Sequence, residues 1–183
     1  MQGGIKMDLQ EILNPNIIDL AVEGNTKKEV LINLANVLKE NEYIDDVEQF
    51  VKDIYVRESE GPTGMGSNLS IPHGKSETVK KIGIAIGRTI QPINWESSID
   101  ESGIQKTNLI FLFCVSADSS FETNHMLLLS QLAGKLGNDS RIHALQDASS
   151  AEQIIKIICS DDEELDNSCK SNDEEIVDLD INL

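Results

Sequence analysis

The segment that most constrains the fold is a run of seven consecutive apolar residues, 109–115. A strand that faces solvent on one side alternates apolar and polar residues, whereas a strand covered on both sides is apolar throughout. The run therefore predicts a central strand with helices packed against both of its faces. It is far shorter than the roughly 18 apolar residues that indicate a membrane-spanning helix, and no stretch elsewhere approaches that length.

Four helices are predicted where capping residues precede apolar residues at helical spacing. Their starting residues are Thr26, Asp45, Ser119 and Ser149. Shorter helical turns are predicted at residues 8–13 and 141–148. Further strands are predicted at residues 17–22, 69–72 and 82–87, and residues 90–107 are predicted to form a loop or irregular hairpin around Trp95. Strands that alternate with helices predict an α/β layered sandwich, with a mixed central sheet flanked by helices on both faces.

Length and charge divide the chain into three parts. Its 183 residues fit one domain and a tail, and the net charge of −17 is concentrated in residues 161–183, which contain ten acidic residues and one lysine. We predict that residues 1–6 are an N-terminal extension, either a cloning remnant or a frayed terminus. Residues 7–160 are predicted to form the domain, and residues 161–183 an acidic tail or linker that cannot build its own core.

Composition excludes several classes of function. The negative charge disfavours nucleic acid and anionic lipid and suits a basic protein partner. No signal peptide is visible, and the three cysteines lack the spacing of a disulfide framework, so we expect a reducing cytoplasm without membrane insertion. The three histidines match no metal motif and the nucleotide P-loop pattern is missing, so we expect neither a metal nor a cofactor.

His73 is the strongest candidate for chemistry. It lies in residues 63–75, TGMGSNLSIPHGK, where a glycine-punctuated loop leads into a short strand that is predicted to end at Pro72. Glycine lets backbone approach a ligand closely, and proline cannot donate to a sheet ladder. An imidazole held at such a strand end is suited to act as a nucleophile or proton carrier, the alternative being an ordinary surface histidine.

The segment around His73, SIPHG at residues 70–74, resembles the active-site signature of the enzyme IIA domains of the bacterial sugar phosphotransferase system, fructose/mannitol class (type 2). The resemblance extends from about residue 9 to about residue 158. It includes the motifs RE (57–58), GKS (74–76), PINW (92–95) and HMLLLSQL (125–132). Where the family usually has Asn-Gly, this chain has Ser67 and Asn68; asparagine replaces glycine here because it tolerates left-handed backbone.

The resemblance implies that His73 is phosphorylated transiently, through the ε2 nitrogen. Arg57 and His125 are then candidates to stabilise the phosphoryl oxygens; otherwise Arg57 is a helix C-terminal cation and His125 a histidine at the edge of the core. Glu58 either orients Arg57 or is solvated. The residues predicted to bind phosphate are Thr63, Gly64, Gly66 and Ser67, including backbone N–H groups of the 64–66 turn. His143 is predicted to be a surface residue.

A relay follows from the resemblance. The carrier HPr would donate a phosphoryl group to His73, and His73 would pass it to a cysteine of an enzyme IIB domain, so that the membrane enzyme IIC is reached only indirectly. Two alternatives are a nitrogen-class regulatory protein that signals by its phosphorylation state and an interaction module that transfers nothing. The motifs at residues 74–76, 86–88 and 93–95, with the acidic tail as a linker to IIB, favour the fructose class.

Overall fold

The structure is a computed structural model that describes residues 7–119 and 122–165. Its helices are α1 (Leu9–Ile12), α2 (Lys27–Glu40), α3 (Val47–Glu58), α4 (Glu122–Lys135), α5 (Asp139–Asp147) and α6 (Ala151–Cys159). Its strands are β1 (Ile18–Val22), β2 (Leu69–Ser70), β3 (His73–Ser76), β4 (Gly83–Glu96) and β5 (Ile104–Ser116). A 3-10 turn, Pro15–Ile17, precedes β1. No helix in these ranges is long and apolar enough to cross a membrane.

The capping signals in the sequence mark the observed helix starts. Thr26 accepts a hydrogen bond from the Glu29 N–H and the Glu29 carboxylate accepts from the Thr26 N–H, which completes the predicted capping box of α2. The helices α3 and α6 are capped by Asp46 and Ser150, one residue later than predicted. The start of α4 adjoins residues 120–121, which lie outside the described ranges.

The sheet is mixed, as predicted, with the order β1-β4-β5-β2 and with β3 also paired to β5. The strands β4 and β5 form a long antiparallel hairpin, and the other pairings are parallel. Residues 90–107, predicted as a loop or irregular hairpin, thus belong to a hairpin, with a register shift between Arg88 and Ile93. Trp95 lies in β4 and is fully buried.

The alternation of side chains along β5 creates two apolar layers. Ile110, Leu112 and Cys114 face α2 and α3, and burial raises the pKa of the Cys114 thiol. Leu109, Phe111, Phe113 and Val115 face α4, α5 and α6. This central strand, buried on both faces, confirms the predicted α/β sandwich.

The strand next to His73 differs from the prediction. Residues 69–72 were expected to form a strand ending before His73, but β2 stops at Ser70 and a new strand, β3, begins at His73. Pro72 has no N–H to donate, yet its carbonyl accepts the Phe113 N–H at 2.9 Å. The chain therefore stays beside β5 across the proline, and parallel pairing resumes with His73 opposite Phe113.

Gly74 brings β3 close to α3. A Cβ atom at this position would lie 2.9 Å from the Asp53 carbonyl oxygen. Any larger residue would therefore push the strand away from the helix, and only glycine allows this approach without a shift. The contact places His73 beside the helix that carries Arg57.

The packed part of the chain continues past the predicted boundary at residue 160. Residues 162–165 form a helical turn, Leu165 is only 7% exposed, and Asp162 binds the buried Arg141 at 2.5 Å. The rest of the predicted acidic tail, including Cys169, and the predicted extension at residues 1–6 lie outside the described ranges.

Candidate functional site

A cavity of about 520 Å³ lies between the end of α3, the strand β3, the end of β5 and the first turn of α4. Its lining includes His73, Arg57 and His125, which are distant in sequence and were all predicted as site residues. Lys75, Val56 and Met126 also line it. The fold thus gathers the three predicted side chains around one space large enough for a phosphoryl group.

The imidazole of His73 has a defined orientation. Its Nδ1 lies 2.8 Å from the Ile71 carbonyl oxygen. A carbonyl can only accept, so Nδ1 carries the proton and donates it, which leaves Nε2 with its lone pair. Burial lowers the pKa of His73 below its ordinary value of 6.5; the hydrogen bond to Ile71 and the Glu58 charge oppose this, and the Arg57 charge adds to it. The ring is therefore held neutral at neutral pH.

His125 lies in the first turn of α4 and is 7% exposed. Its ring stacks on Phe113, with the ring centroids 5.6 Å apart and the planes inclined by 11°. Phe113 is also the residue that pairs with His73 across the β3–β5 ladder. One residue of the central strand therefore supports both histidines, and His125 sits where the N-terminal end of a helix favours negative charge.

Arg57 lies in the last turn of α3, and its Nη1 donates to the Gly61 carbonyl at 3.1 Å. A guanidinium has five N–H donors, so this bond leaves others for an anion in the cavity. Lys75, from the GKS motif, brings a second cation to the same lining. It was not predicted as a site residue, although its position two residues after His73 on one strand places it on the same face.

The four residues predicted to bind phosphate are not among the described residues that line the cavity. Thr63 is buried; its hydroxyl donates to Glu58 and accepts the Trp95 Nε1–H at 3.1 Å. The Gly64 N–H donates to the Glu96 carbonyl and the Gly66 N–H to the Gln105 side chain, so both are already used inside the protein. The Thr63 hydroxyl and the N–H groups of Gly64 and Gly66 thus support the turn from inside the protein, and phosphate binding by Ser67 stays a prediction.

Left-handed backbone runs through the end of this turn. Gly66, Ser67 and Asn68 have φ values of 79°, 48° and 61°. Ser67 is exposed, and Asn68 takes the conformation that was predicted for a replacement of glycine.

Glu58 is not solvated, which was one of the two interpretations of its position. Its side chain is 6% exposed and accepts a hydrogen bond from Lys27 Nζ at 2.7 Å as well as the one from Thr63. Lys27 was missed by sequence reasoning. One signal could have found it: Lys27 is the first residue of α2, where the helix dipole disfavours a cation, so a lysine there indicates a carboxylate partner. His143, by contrast, is exposed, as predicted.

Comparison with known proteins identifies the family. Residues 11–160 match the family "Phosphoenolpyruvate-dependent sugar phosphotransferase system, EIIA 2". The chain is 30% identical over 146 residues to a PTS system fructose-like EIIA component of Escherichia coli, covering 80% of this chain and 94% of that protein. The chain belongs to the EIIA type 2 family, whose members are components of the phosphotransferase system.

A longer relative contains the same region as one part. The chain is 29% identical over 157 residues to the 2-O-alpha-mannosyl-D-glycerate-specific EIIABC component of Escherichia coli, covering 86% of this chain. It spans only 23% of the length of that relative.

Solved structures of the same fold come from two kinds of system. The nitrogen regulatory protein IIA-Ntr from Neisseria meningitidis superposes with a TM-score of 0.70 at 30% identity, covering 82% of this chain and 98% of that chain. The mannitol enzyme IIA of Escherichia coli, solved in complex with phosphorylated enzyme IIB, superposes with a TM-score of 0.64 at 19% identity. That comparison covers 80% of this chain and 96% of the other, and it shows the shared fold.

Proposed function

We propose that this protein is a phosphoryl-relay component of a sugar phosphotransferase system. In this proposal HPr is the donor, Nε2 of His73 is the acceptor, and a cysteine of an enzyme IIB domain receives the group next. The observation that carries the proposal is the bond from His73 Nδ1 to the Ile71 carbonyl, because it leaves the Nε2 lone pair available in a cavity shared with Arg57 and His125.

In the first step the Nε2 lone pair attacks phosphorus. The N–P bond of the phosphorylated carrier breaks, its electron pair stays on the carrier imidazole, and a new N–P bond forms on His73. The Nδ1–H donates to the Ile71 carbonyl throughout, and that carbonyl oxygen stabilises the positive charge that develops on the ring. In the second step a cysteine thiolate attacks phosphorus and the electron pair returns to Nε2.

Arg57 and His125 have a distinct role. The transferring phosphoryl group is metaphosphate-like, so catalysis consists mostly of positioning and of stabilising the charge on its oxygens. Arg57 provides a planar set of donors and His125 lies at a helix start, and both line the cavity around His73. We assign them that stabilising role in the proposed transfer.

The fructose class is the first choice for the type of relay. The fructose-like EIIA relative supports it, and EIIABC relatives have the A region within longer chains, which fits the acidic segment after residue 165 as a linker. A cytoplasmic location belongs to the same proposal. The 30% identity to IIA-Ntr favours the second candidate, a regulator that signals by its phosphorylation state.

The test is phosphorylation by phosphoenolpyruvate with enzyme I and HPr, followed by intact-protein mass spectrometry. We expect one phosphate on the wild type, which is lost in acid, and none on His73→Ala. His143→Ala is the matched control, since that histidine is exposed and lies outside the cavity lining, and it should accept phosphate normally. A phosphorylated His73→Ala protein would overturn the assignment of the acceptor.

Separation of the two candidates needs a second measurement. The phosphorylated protein is mixed with a purified fructose-type IIB domain, and phosphate on the IIB cysteine is measured with time. Rapid transfer supports the sugar relay. A phosphorylated protein that retains its phosphate in the presence of IIB supports the regulatory candidate instead.

A further inference from the structure

A polar cluster, buried except for the side chain of Glu96, lies beside the cavity without lining it. We call it the Lys27 cluster; its members are Lys27, Glu58, Thr63, Trp95 and Glu96. Lys27 Nζ contacts Glu58 at 2.7 Å and Glu96 at 2.6 Å and lies 4.7 Å from the centre of the Trp95 ring. These residues come from α2, α3, the loop after α3 and β4, so the cluster joins four segments.

A hydrogen bond within the cluster, between Thr63 and Glu58, closes a short loop of the chain next to Arg57. The Glu58 carboxylate at the end of α3 accepts the Thr63 hydroxyl, five residues later. Between these two residues lies Gly61, whose N–H donates to the Glu58 carbonyl at 3.2 Å and whose carbonyl accepts the Arg57 guanidinium at 3.1 Å. The acceptor that fixes Arg57 is therefore part of the segment that the Glu58–Thr63 bond closes.

Charge and burial explain why the bond between Glu58 and Thr63 needs Lys27 and Trp95. Glu58 is almost fully buried, and a buried carboxylate is unfavourable without a cation and hydrogen-bond donors. Lys27 supplies the charge, and the Trp95 indole N–H fixes the Thr63 hydroxyl so that its proton points to Glu58. Lys27 and Trp95 thus hold Glu58 and Thr63 in one orientation.

We propose that Thr63 and Lys27 are positioning residues for Arg57: they hold Glu58 and the 58–63 segment, and thereby aim the guanidinium at the phosphoryl group on His73. This inference rests on the proposed function, in which Arg57 stabilises that group. It assigns Thr63 a different role from direct phosphate binding, since its hydroxyl is already committed to Glu58 and Trp95.

The decisive variants are Thr63→Val and Thr63→Ser. Valine keeps the shape of threonine but loses both hydrogen bonds, whereas serine keeps the hydroxyl. We expect Thr63→Val to slow phosphoryl acceptance from HPr, measured by rapid quench on folded protein, by about tenfold, because a small misplacement of a positioned group is costly. Thr63→Ser should restore most of the rate. Lys27→Met should behave like Thr63→Val, with Lys80→Met, at an exposed ion pair, as the control.

The coupling to Arg57 separates positioning from general damage. In an Arg57→Ala background, Thr63→Val should cause no further slowing. A tenfold slowing that persists in that background, or wild-type rates for both Thr63→Val and Lys27→Met, would overturn the inference while leaving the relay intact.

A second readout needs no phosphoryl donor. The Arg57 charge lowers the pKa of His73 and the Glu58 charge raises it. Repeating the Thr63→Val titration in an Arg57→Ala background separates the two, since a pKa difference that reports movement of Arg57 should vanish there. NMR titration of the His73 ring should show a higher pKa in Thr63→Val than in Thr63→Ser. Identical titration curves would contradict the inference. If this pKa difference is found but the wild type accepts no phosphate, the proposed function fails and the positioning of Arg57 stands.

Discussion

Two buried cations in this protein are held in different ways. Arg141 is fully buried at the start of α5, and its guanidinium donates to the carbonyls of Ile157, Ile158 and Ser160 and to the Asp162 carboxylate. Its partners are therefore close together in sequence, at the end of α6. Lys27 instead lies between two carboxylates and above an aromatic ring, on segments far apart in sequence.

The difference shows how the type of cation matches its task. The planar fork of arginine suits several carbonyl oxygens at a helix C-terminus, where the helix dipole also favours positive charge. The compact ammonium of lysine suits a point between two carboxylates. Arg141 therefore closes the end of the domain, and the Lys27 cluster supports the segment that carries Arg57. The first should matter for stability alone, and the second for stability and chemistry.

Removal of Arg141 should have the largest effect on stability. Arg141→Ala leaves the α6 carbonyls buried without a donor, so we expect the free energy of unfolding to fall by about 3 kcal/mol. Urea denaturation measures this. The rate of phosphoryl acceptance per folded molecule should stay at the wild-type value. A slowed rate in folded Arg141→Ala protein would break the contrast with the Lys27 cluster.

Truncation should show where the domain ends. A chain that stops after Ser160 loses Asp162 and the buried Leu165, and we expect it to lose about 2 kcal/mol, mostly from the apolar contacts of Leu165. A chain that stops after Leu165 should unfold at the wild-type urea concentration. Equal stability of the two truncated chains would instead support the boundary at residue 160 that the sequence predicts.

The pH dependence of the site should distinguish Arg57 from Arg141. The pKa of His73 is lowered by burial and by the Arg57 charge, so the unfolded chain binds the proton more tightly than the folded protein. His73 therefore contributes stability above about pH 6.5 that is lost as the pH falls toward its lowered pKa, and phosphoryl acceptance should decline over the same acidic range. Arg57→Ala should raise the His73 pKa, so phosphoryl acceptance should decline at a higher pH, while the stability lost as the pH falls below about 6.5 should become smaller.

The control for that titration is Arg141→Ala, in which the His73 pKa should match that of the wild type. NMR titration of the His73 ring measures it directly. An unchanged pKa in Arg57→Ala would show that the guanidinium does not influence the imidazole.

Local signals in the sequence predicted most of the fold. The apolar run at residues 109–115 predicted a doubly covered strand, and the caps at Thr26 and Ser149 predicted helices within a residue of their observed starts. The sequence predicts that a strand ends at Pro72, but pairing across this residue depends on its carbonyl acceptor, which the residue type does not reveal. Hydrophobic periodicity indicates which face one element buries, whereas the pairing across Pro72 depends on the neighbouring strand β5.

The sequence predicted the candidate site less completely than the fold. His73, Arg57 and His125 each carried a recognisable motif, and the structure places all three in one cavity lining. The glycine turn was predicted to cradle phosphate, because glycines permit close approach, yet its N–H groups are used by Glu96 and Gln105. Which acceptor a backbone N–H meets is a tertiary property. The same holds for Lys27, whose partners lie 31 and 69 residues away.

The smallest effect should come from Glu96, the second carboxylate of the Lys27 cluster. It contacts Lys27 at 2.6 Å, but its side chain is 59% exposed, and exposed ion pairs contribute only about 0.2–1 kcal/mol. Glu96→Gln should therefore lower the free energy of unfolding by a few tenths of a kcal/mol, about the limit of urea denaturation, and leave phosphoryl acceptance unchanged. Glu58→Gln is the matched comparison, since the same change in a buried carboxylate removes the charge that pairs with Lys27 and weakens the bond to Thr63. If the two variants lost the same stability and the same rate, the different exposures of Glu58 and Glu96 would have no effect. The cluster would then act as one unit rather than through Glu58.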